Sequence, residues 1–399
     1  MQLSLFEKSV LEGVKKHGTT SGTYAHVRQS LGLTEADMTE VVQAGAWGPT
    51  KKWPRKIRYL QQTLKAAGLI ESGSSRGTWQ TTDKGESALT KAPSSGLQIV
   101  FFTNFGVALW GDGKELSKHF RGEVEMIMTS PPYLLSKDRS YGNWGRTEKE
   151  YVRNVVENVE AWLPMLTNSG SLVLNLGEST IPGTGQQSLS NERILIQLED
   201  ELGLHLIQKF IWENPVKQPT GYWVTRERKR CVFSTENLFW LSLNPKSTKA
   251  DNRRVLKPYS ASQEKLMAKL ADSDASRKCR PSGLTSLDKT FYADNGGAIP
   301  RNVLRIAHEG ANSQYSRECK DHNLPRHPAM FPSELAEFFV KFVTEEQDMV
   351  ADPCSGSFKL GEAAEKHSRY WAGSELFLEN ILGGGLRFKQ KKVVITTPE

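Results

Sequence analysis

From residue 97 onward, apolar runs of strand length alternate with helical stretches, and this alternation constrains the fold more than any other feature of the sequence. Such alternation predicts a parallel α/β sheet with helices packed against it. The predicted strands are Val124–Thr129, Ser171–Leu176, His205–Trp212, Asn237–Leu241, Met349–Ala351 and Tyr370–Ser374. The predicted helices are Glu148–Leu166, Leu189–Leu202, Ser333–Thr344, Leu360–Lys366 and Leu376–Phe388.

The residues before 97 follow another pattern and are set apart by a short linker, Ala92-Pro93-Ser94-Ser95-Gly96. Two short strands, Gly68–Glu71 and Thr78–Thr82, flank a turn at Ser72–Gly77. A helix followed by a strand, a turn and a second strand describes a wing. The helices predicted before it are Phe6–Lys16, Ser21–Leu31, Thr34–Ala44 and Lys51–Ala67.

This first segment is also the basic part of the chain. Residues 1–95 hold 13 Lys/Arg against 8 Asp/Glu, and so carry +5 of the net charge of +7. A basic appendage on a nearly neutral body indicates a polyanionic partner, although a solvated basic face has the same composition. The pattern Leu69-Ile70…Arg76-Gly77-Thr78-Trp79…Thr82-Asp83-Lys84-Gly85 resembles the winged-helix module at the N-terminus of Mrr-type restriction endonucleases. The resemblance implies DNA contact through the helix and the wing, by Lys51, Lys52, Arg55, Lys56 and Arg76; a winged helix used for protein contacts is the alternative.

Length and composition limit the class of protein. A chain of 399 residues with 38% hydrophobic residues is long enough for two to three domains with substantial cores. Its four cysteines form no CxxC pair, which argues against a disulfide framework and against a zinc site, so we expect no metal. Neither a membrane-length apolar run nor a secretory leader is evident, and we expect a cytoplasmic protein with no membrane partner.

Ser130-Pro131-Pro132-Tyr133 directly follows the strand predicted at Val124–Thr129. Each proline removes a backbone N–H and fixes φ, so this segment presents carbonyl oxygens stiffly where ligands bind in open α/β sheets. Acceptors beside a hydroxyl and an aromatic ring suit a planar, amine-bearing base. They would hold the amine hydrogens and stabilise the positive charge that develops as the nitrogen attacks an electrophile. A rigid turn with Tyr133 as a packing residue is the alternative.

A second segment of small residues, Asp352-Pro353-Cys354-Ser355-Gly356-Ser357, lies between a predicted strand and a predicted helix. Small residues allow the backbone to approach a ligand closely. Glu375 follows Asp352 by 23 residues, at the end of the next strand, and an acid at about that spacing commonly binds the two hydroxyls of a ribose. Together they predict a nucleoside-cofactor site, with a solvated helix cap as the other interpretation of Glu375.

Other nucleotide enzymes fit the sequence less well. A dinucleotide oxidoreductase would carry a fuller Gly-x-Gly-x-x-Gly early in the chain, and no GxxxxGK[ST] segment of a P-loop NTPase occurs. Cys354 lies in the candidate cofactor loop, and not on the Ser130 loop, where a cysteine nucleophile would be needed. We therefore interpret Cys354 as a small buried residue lining the cofactor.

Residues 100–390 resemble the amino-group DNA methyltransferases of the beta, or permuted, arrangement. The resemblance rests on the Ser130–Tyr133 and Asp352–Ser357 segments, in that order, together with further blocks in family order. These blocks are Trp110-Gly111-Asp112, Tyr141-Gly142-Asn143, Trp212-Glu213-Asn214-Pro215, Glu236-Asn237-Leu238-Phe239-Trp240, Asp294-Asn295-Gly296-Gly297-Ala298-Ile299-Pro300 and His327-Pro328-Ala329-Met330-Phe331-Pro332. Serine before Pro-Pro-Tyr points to the cytosine-N4 branch.

This resemblance implies a Rossmann-like, mixed but mostly parallel sheet, S-adenosylmethionine as cofactor, and a flipped cytosine as substrate. It implies that Ser130, Pro131, Pro132 and Tyr133 hold the base. It also implies that Asp352, Cys354, Ser355, Gly356 and Ser357 line the cofactor, that Glu375 holds its ribose, and that Asp112, His327 and Phe331 complete the site. In one departure, Phe358 replaces the last glycine of the family loop, and we expect an altered cofactor fit.

The domain organisation expected from this is a winged helix at 1–92, a catalytic half at 97–243, a target-recognition insert at 244–325 and a cofactor-binding half at 326–399. The partner is double-stranded DNA with a short specific site, contacted at its phosphates by Arg226, Arg228, Lys229 and Arg230. A cognate restriction endonuclease is a second expected partner. The rival functions are adenine-N6 methylation on the same scaffold and a catalytically silent, winged-helix DNA-binding regulator; an RNA substrate is disfavoured.

Overall fold

The computed structural model describes most of the chain: residues 5–30, 33–43, 49–75, 77–90, 96–134, 144–145, 147–181, 184–219, 221–271, 293–308, 310, 313–322, 324 and 326–393. It divides into two compact units. One comprises Met1–Gly96 with Leu376–Glu379, and the other comprises Leu97–Glu375 with Asn380–Glu399. No helix in the described ranges has the length and apolar character needed to cross a membrane.

The first unit is built from short helices and two small antiparallel hairpins. In chain order it contains α1 (Leu5–His17), α2 (Thr20–Ser30), α3 (Glu35–Thr39), β1 (Val41–Gln43), β2 (Pro49–Lys51), α4 (Lys52–Ala66), β3 (Ile70–Ser72), β4 (Trp79–Thr81) and α5 (Asp83–Thr90). Strands β3 and β4 pair antiparallel and form the predicted wing. The hydrophobic core of the first unit consists of Val10, Leu11, Val14, Val27, Met38, Ile57, Leu64, Leu69, Ile70 and Trp79.

One prediction for this unit is wrong, and one helix was missed. The third helix was expected to reach Ala44, but it ends at Thr39 because Val41–Gln43 pair with Pro49–Lys51. Its start is fixed by a capping box, in which the Thr34 hydroxyl accepts from the Asp37 N–H and the Asp37 carboxylate accepts from the Thr34 N–H. The segment after the wing also forms a helix, α5, that was not predicted.

The second unit contains a ten-stranded sheet. Its strands are β5 (Gln98–Phe102), β6 (Gly106–Trp110), β7 (Val124–Thr129), β8 (Leu166–Gly177), β9 (His205–Glu213), β10 (Thr235–Ser242), β11 (Val303–Arg305), β12 (Met349–Asp352), β13 (Tyr370–Glu375) and β14 (Lys392–Val393). They are ordered β11-β9-β10-β8-β7-β12-β13-β6-β5-β14. Strands β8, β7, β12, β13 and β6 are parallel neighbours, whereas β10, β5 and β14 join the sheet antiparallel. The predicted fold class, a mixed and mostly parallel α/β sheet, is confirmed.

Helices cover this sheet, and the central strands are buried on both faces. All six residues of β7 are buried, as expected for a parallel strand between two helical layers. The helices are α6 (Glu148–Trp162), α7 (Ser190–Asp200), α8 (Tyr222–Thr225), α9 (Ala261–Ala271), α10 (Gln314–Asp321), α11 (Ser333–Val343), α12 (Lys359–Lys366) and α13 (Leu378–Gly385). Four helices are shorter than predicted. Helix α6 ends at Trp162, before a 3-10 turn and β8, α7 ends at Asp200, α11 ends at Val343, and α13 ends at Gly385.

The polar segment 244–325 contributes to the sheet. Within it, β11 pairs parallel with β9, and Trp212 Nε1 donates to the Ile306 carbonyl at 2.8 Å. Helix α10 begins at a Ser313 cap whose hydroxyl accepts from the Ser316 N–H. The turn predicted at Arg280-Pro281-Ser282-Gly283 and the block Tyr141-Gly142-Asn143 lie outside the described residues.

Candidate active site

The two loops singled out from the sequence leave the same edge of the sheet. Ser130–Tyr133 follows β7 and Pro353–Ser357 follows β12, and these strands are parallel neighbours. Because the carboxyl ends of parallel neighbours meet at one edge, the loops face each other. Both line one cavity of about 310 Å³.

Asp352 directly precedes the Pro353–Ser357 loop and holds its start by hydrogen bonds. Its Oδ1 accepts from the Thr129 hydroxyl at 2.7 Å and from the Cys354 N–H at 3.0 Å. The side chain is buried, and among the described residues Oδ2 has no hydrogen-bond partner. Burial raises the pKa of Asp352 to about 7, against the lowering effect of those two hydrogen bonds. Asp352 itself does not line the cavity.

Glu375 is the last residue of β13 and holds the Pro353–Ser357 loop by a hydrogen bond. Its Oε2 accepts from the Gly356 N–H at 2.9 Å, and the Ser355 N–H donates to the Ser374 carbonyl at 2.9 Å. Gly356 has φ +50, and a Cβ there would lie 3.0 Å from two atoms of the His327 ring. Glycine at 356 therefore satisfies both a left-handed backbone and a close approach.

Phe358 takes the left-handed conformation that glycine would adopt easily, with φ 58 and ψ 35. Its ring is buried between Phe101 and Trp371, at centroid distances of 5.8 and 5.9 Å. Packing of the ring therefore offsets the backbone cost of about 1–2 kcal/mol. The departure from the family loop is thus accommodated in the core.

His327, Phe331 and Cys354 also line the cavity. Burial lowers the pKa of His327 to about 4, so the imidazole is neutral at physiological pH. Cys354 is half-buried, whereas the sequence analysis interpreted it as a buried residue. Burial, reinforced by the nearby Asp352 carboxyl, raises the pKa of the Cys354 thiol well above its usual range, which disfavours the thiolate that a nucleophile needs.

Tyr133 is tied into a polar network. Its hydroxyl donates to Glu236 Oε2 at 2.6 Å and lies 2.9 Å from Ser130 Oγ. Asn175 Nδ2 donates to the same hydroxyl at 3.0 Å. Burial, the Glu236 charge and the Glu236 hydrogen bond raise the pKa of Tyr133 well above its usual range, so the phenol stays protonated.

Several cavity residues were missed as functional candidates by sequence reasoning. Trp212, Asn214 and Glu236 lie in blocks recognised in the sequence but given no side-chain role. Asn175 gave no local signal, since it lies inside an apolar strand. The remaining side chains missed at the cavity are Lys217, His308 and Lys359.

Asp112 and the basic residues 226–230 do not line the cavity. Asp112 caps a 3-10 turn, Gly113–Lys118, by accepting from the Lys114 N–H. This turn abuts the cofactor loop, because a Cβ on Gly113 would lie 2.4 Å from the Pro353 carbonyl oxygen. Beyond helix α8, the exposed side chains are Arg226, Arg228 and Lys229, with Arg230 half-buried.

Apart from Arg76, the basic residues of the first unit that are assigned to DNA lie on and just before α4. Lys51, Arg55 and Lys56 are exposed, and Lys56 Nζ lies 4.9 Å from the Trp53 ring centroid. Lys52 is half-buried and pairs with Glu40 at 2.9 Å, so its charge is partly neutralised within the unit. Arg76, expected at the wing tip, lies outside the described residues.

A mostly parallel sheet with two ligand-facing loops at its carboxyl edge, and an acid at the end of the following strand, defines a class I methyltransferase. The chain belongs to the N6_N4_Mtase family of DNA methylases, whose model matches residues 124–381. Residues 6–91 match the Mrr N-terminal domain. The family and the N-terminal module inferred from the sequence are both confirmed.

Named relatives agree with this assignment. The type II methyltransferase M.PvuII of Proteus hauseri is 35% identical over 300 residues, covering 75% of this chain and 88% of the relative. The type II methyltransferase M.ScaI of Streptomyces caespitosus is 25% identical over 276 residues, covering 67% and 75%. A solved structure of PvuII DNA methyltransferase (cytosine-N4-specific) matches with a TM-score of 0.58 and 30% identity, over 73% of this chain and 89% of that one.

Proposed function

We propose that this protein methylates the exocyclic N4 amine of cytosine in double-stranded DNA, with S-adenosylmethionine as the methyl donor. The observation that carries this proposal is the shared cavity, which is lined by both the Ser130–Tyr133 loop and the Cys354–Ser357 loop. The relatives add support, because M.PvuII is a type II methyltransferase and its solved counterpart is described as cytosine-N4-specific.

The residues at the cavity fit such a cofactor. Asp352 Oδ2 is a buried acceptor without a hydrogen-bond partner in the described part of the chain, directly behind the loop. Gly356 leaves room that a Cβ would fill. Glu375 would hold the ribose hydroxyls, while Cys354, Ser355 and Ser357 would line the cofactor and His327 and Phe331 would cover it, with Asp112 at its edge. The cofactor supplies an electrophilic methyl group.

The protein's own contribution is to hold and orient the amine. Pro131 and Pro132 have no N–H, so the loop offers acceptors without competing donors. Ser130 Oγ and the Pro131 carbonyl would accept from the amine, while the Tyr133 ring would stack on the base. Accepting both amine hydrogens favours a pyramidal nitrogen and stabilises its developing charge. Flipping the base costs a few kcal/mol, which DNA-backbone contacts offset.

DNA recognition would be shared between several parts of the chain. We assign base reading to the insert 244–325 between the catalytic half (97–243) and the cofactor-binding half (326–399), and phosphate contacts to Arg226, Arg228, Lys229 and Arg230. The winged helix at 1–92 would add contacts through its basic residues. The type II names of the relatives favour a restriction–modification system with a cognate endonuclease, acting on DNA in the cytoplasm.

Methylation of unmethylated plasmid DNA with labelled S-adenosylmethionine, followed by nucleoside mass analysis, tests the proposal. Label in N4-methyldeoxycytidine is the expected result. Label in N6-methyldeoxyadenosine would transfer the assignment to adenine. Absence of both label and cofactor binding by calorimetry would favour a DNA-binding regulator.

Two loop variants test the assignment of the base site. Ser130→Ala and Tyr133→Ala should lower turnover far more than they lower cofactor affinity, because both residues are assigned to the base and not to the cofactor. Ser169→Ala, at the opposite end of β8, is the matched control. Full activity in both loop variants would show that the base binds elsewhere.

A further inference from the structure

A continuous series of hydrogen bonds leads from the Ser130–Tyr133 loop to a carboxylate that has no assigned role. Ser130 Oγ lies 2.9 Å from the Tyr133 hydroxyl, which donates to Glu236 Oε2 at 2.6 Å. Glu236 comes from β10, about 100 residues after the loop, and also lines the cavity. The series of hydrogen bonds therefore starts at Ser130 Oγ, the atom proposed to accept from the cytosine amine, and ends at the Glu236 carboxylate.

The direction of these hydrogen bonds follows from counting protons. The Tyr133 hydroxyl has one hydrogen and donates it to Glu236. Its contact with Ser130 must then be a hydrogen bond that Ser130 donates and Tyr133 accepts. This leaves the lone pairs of Ser130 Oγ as acceptors, which is the polarity needed to receive an amine hydrogen.

Asn175 holds this arrangement in place. Its Nδ2 donates to the Tyr133 hydroxyl at 3.0 Å and to Glu236 Oε2 at 3.1 Å, with a longer contact of 3.4 Å to Ser130 Oγ. The residue is 1% exposed and so has little freedom to turn. Glu236 Oε2 thus accepts two hydrogen bonds, one from the Tyr133 hydroxyl and one from Asn175 Nδ2.

We propose that Glu236 is the terminal proton acceptor of methyl transfer, reached through Ser130 and Tyr133, and that Asn175 positions this relay. The inference rests on the proposed function, since it concerns the proton lost from the same cytosine amine. Glu236 and Asn175 act through Tyr133 and Ser130, and are therefore positioning residues.

The proton balance of the step is complete. The N4 nitrogen forms a bond to the methyl carbon while the carbon–sulfur bond breaks. The electron pair of the broken carbon–sulfur bond remains on the sulfur, which becomes neutral. The nitrogen, now positively charged, gives a proton to Ser130 Oγ. Ser130 passes its own proton to Tyr133, Tyr133 passes its own to Glu236, and Glu236 releases it to water.

The test uses full-length protein, unmethylated plasmid DNA and labelled S-adenosylmethionine, with the enzyme in excess so that the first turnover is measured. Glu236→Gln keeps a carbonyl oxygen to accept from Tyr133 and Asn175 but removes the proton acceptor. Tyr133→Phe keeps the ring but interrupts the relay. Each should slow the first turnover by about a hundredfold or more, with cofactor and DNA dissociation constants within about twofold of wild type.

The double variant separates a relay from two independent roles. Because either change interrupts the same path, Glu236→Gln with Tyr133→Phe should be no slower than the slower single variant. Glu178→Gln is the matched control, since Glu178 accepts from Asn237 at 2.6 Å near the same strand ends but does not line the cavity.

Distinct results overturn the relay and the proposed function. If wild type forms no N4-methyldeoxycytidine, the proposed function fails. If wild type is active and Glu236→Gln or Tyr133→Phe retains a first-turnover rate within about twofold of it, the relay is overturned. Multiplication of the two effects in the double variant also overturns it.

Discussion

Replacing Asp352 with Asn should change how the stability of the larger unit depends on pH. Asparagine is isosteric, so its Oδ1 can still accept from the Thr129 hydroxyl and the Cys354 N–H. Burial raises the pKa of Asp352 from 3.8 to about 7, which means that ionising this carboxyl is costly in the folded state. The wild-type carboxyl therefore contributes most to stability below pH 4, and this contribution is lost as pH rises towards 7.

The magnitude follows from the pKa difference. A shift from 3.8 to about 7 corresponds to about 4 kcal/mol of differential stability, at roughly 1.4 kcal/mol per pH unit. The free energy of unfolding of Asp352→Asn minus that of wild type should therefore rise by about 4 kcal/mol between pH 4 and pH 8. Taking this difference cancels the titration of all other groups.

Urea unfolding at a series of pH values, followed by tryptophan fluorescence, measures this difference, since seven of the ten tryptophans lie after residue 96. Asp251→Asn is the opposite control. The Arg253 hydrogen bonds lower the pKa of the half-buried Asp251 to about 2, so its contribution to stability is present above pH 4 and is lost as pH falls from 4 towards 2. A difference for Asp352→Asn that does not change with pH would refute the argument that this carboxyl is buried at a cost.

Three other perturbations have defined outcomes. Gly177→Ala would place a Cβ 2.4 Å from Tyr133 Cε2, so methyl transfer should fall at least tenfold with cofactor affinity unchanged. Gly310→Ala, whose Cβ would meet no atom of the described residues within 4 Å, should be neutral in the same labelled-cofactor assay. Gly356→Ala combines φ +50 with a 3.0 Å approach to the His327 ring, so cofactor affinity by calorimetry should weaken about tenfold or more. Exchanging three of the exposed basic residues of the first unit, Lys51, Arg55 and Lys56, for Gln should weaken DNA binding. It should also reduce the slope of log Kd against log salt, measured by fluorescence anisotropy, by about 0.9 for each phosphate that is no longer neutralised.

The central part of the fold could be predicted because it is buried on both faces. Val124–Thr129 is a continuous run without exposed positions, and β12 begins at the residue predicted for it. Parallel pairing of these strands then brings the two loops together. The strands at the edge of the sheet could not be predicted in the same way. Strand β11 has only three residues, and it can pair parallel with β9 only because the chain turns back within segment 244–325 after β10.

The candidate site was predictable where a loop carries its own chemistry, or where a residue lies at a recognisable spacing from such a loop, as Glu375 does from Asp352. Ser130–Tyr133 and Asp352–Ser357 are recognisable because prolines or small residues interrupt apolar strands. Glu236 follows an ordinary Ser-Thr pair at the start of a strand, where an acid is usually solvated. Its relation to Tyr133 depends on contacts across about 100 residues, and no local pattern encodes them.

The antiparallel strand β10 explains why the acid lies at this site. Strands β8 and β9 flank β10, and both run antiparallel to it. Strand β10 therefore starts at the edge of the sheet where β8 and β9 end. As a result Glu236, the second residue of β10, pairs with Gly177, the last residue of β8. Gly177 has no side chain, and the Tyr133 ring occupies the space that a Cβ would need. The same pairing thus makes room for the ring and brings a carboxylate to its hydroxyl. An acid on a parallel neighbour would need to lie at the strand's end to reach this edge, whereas β10 delivers one from its start.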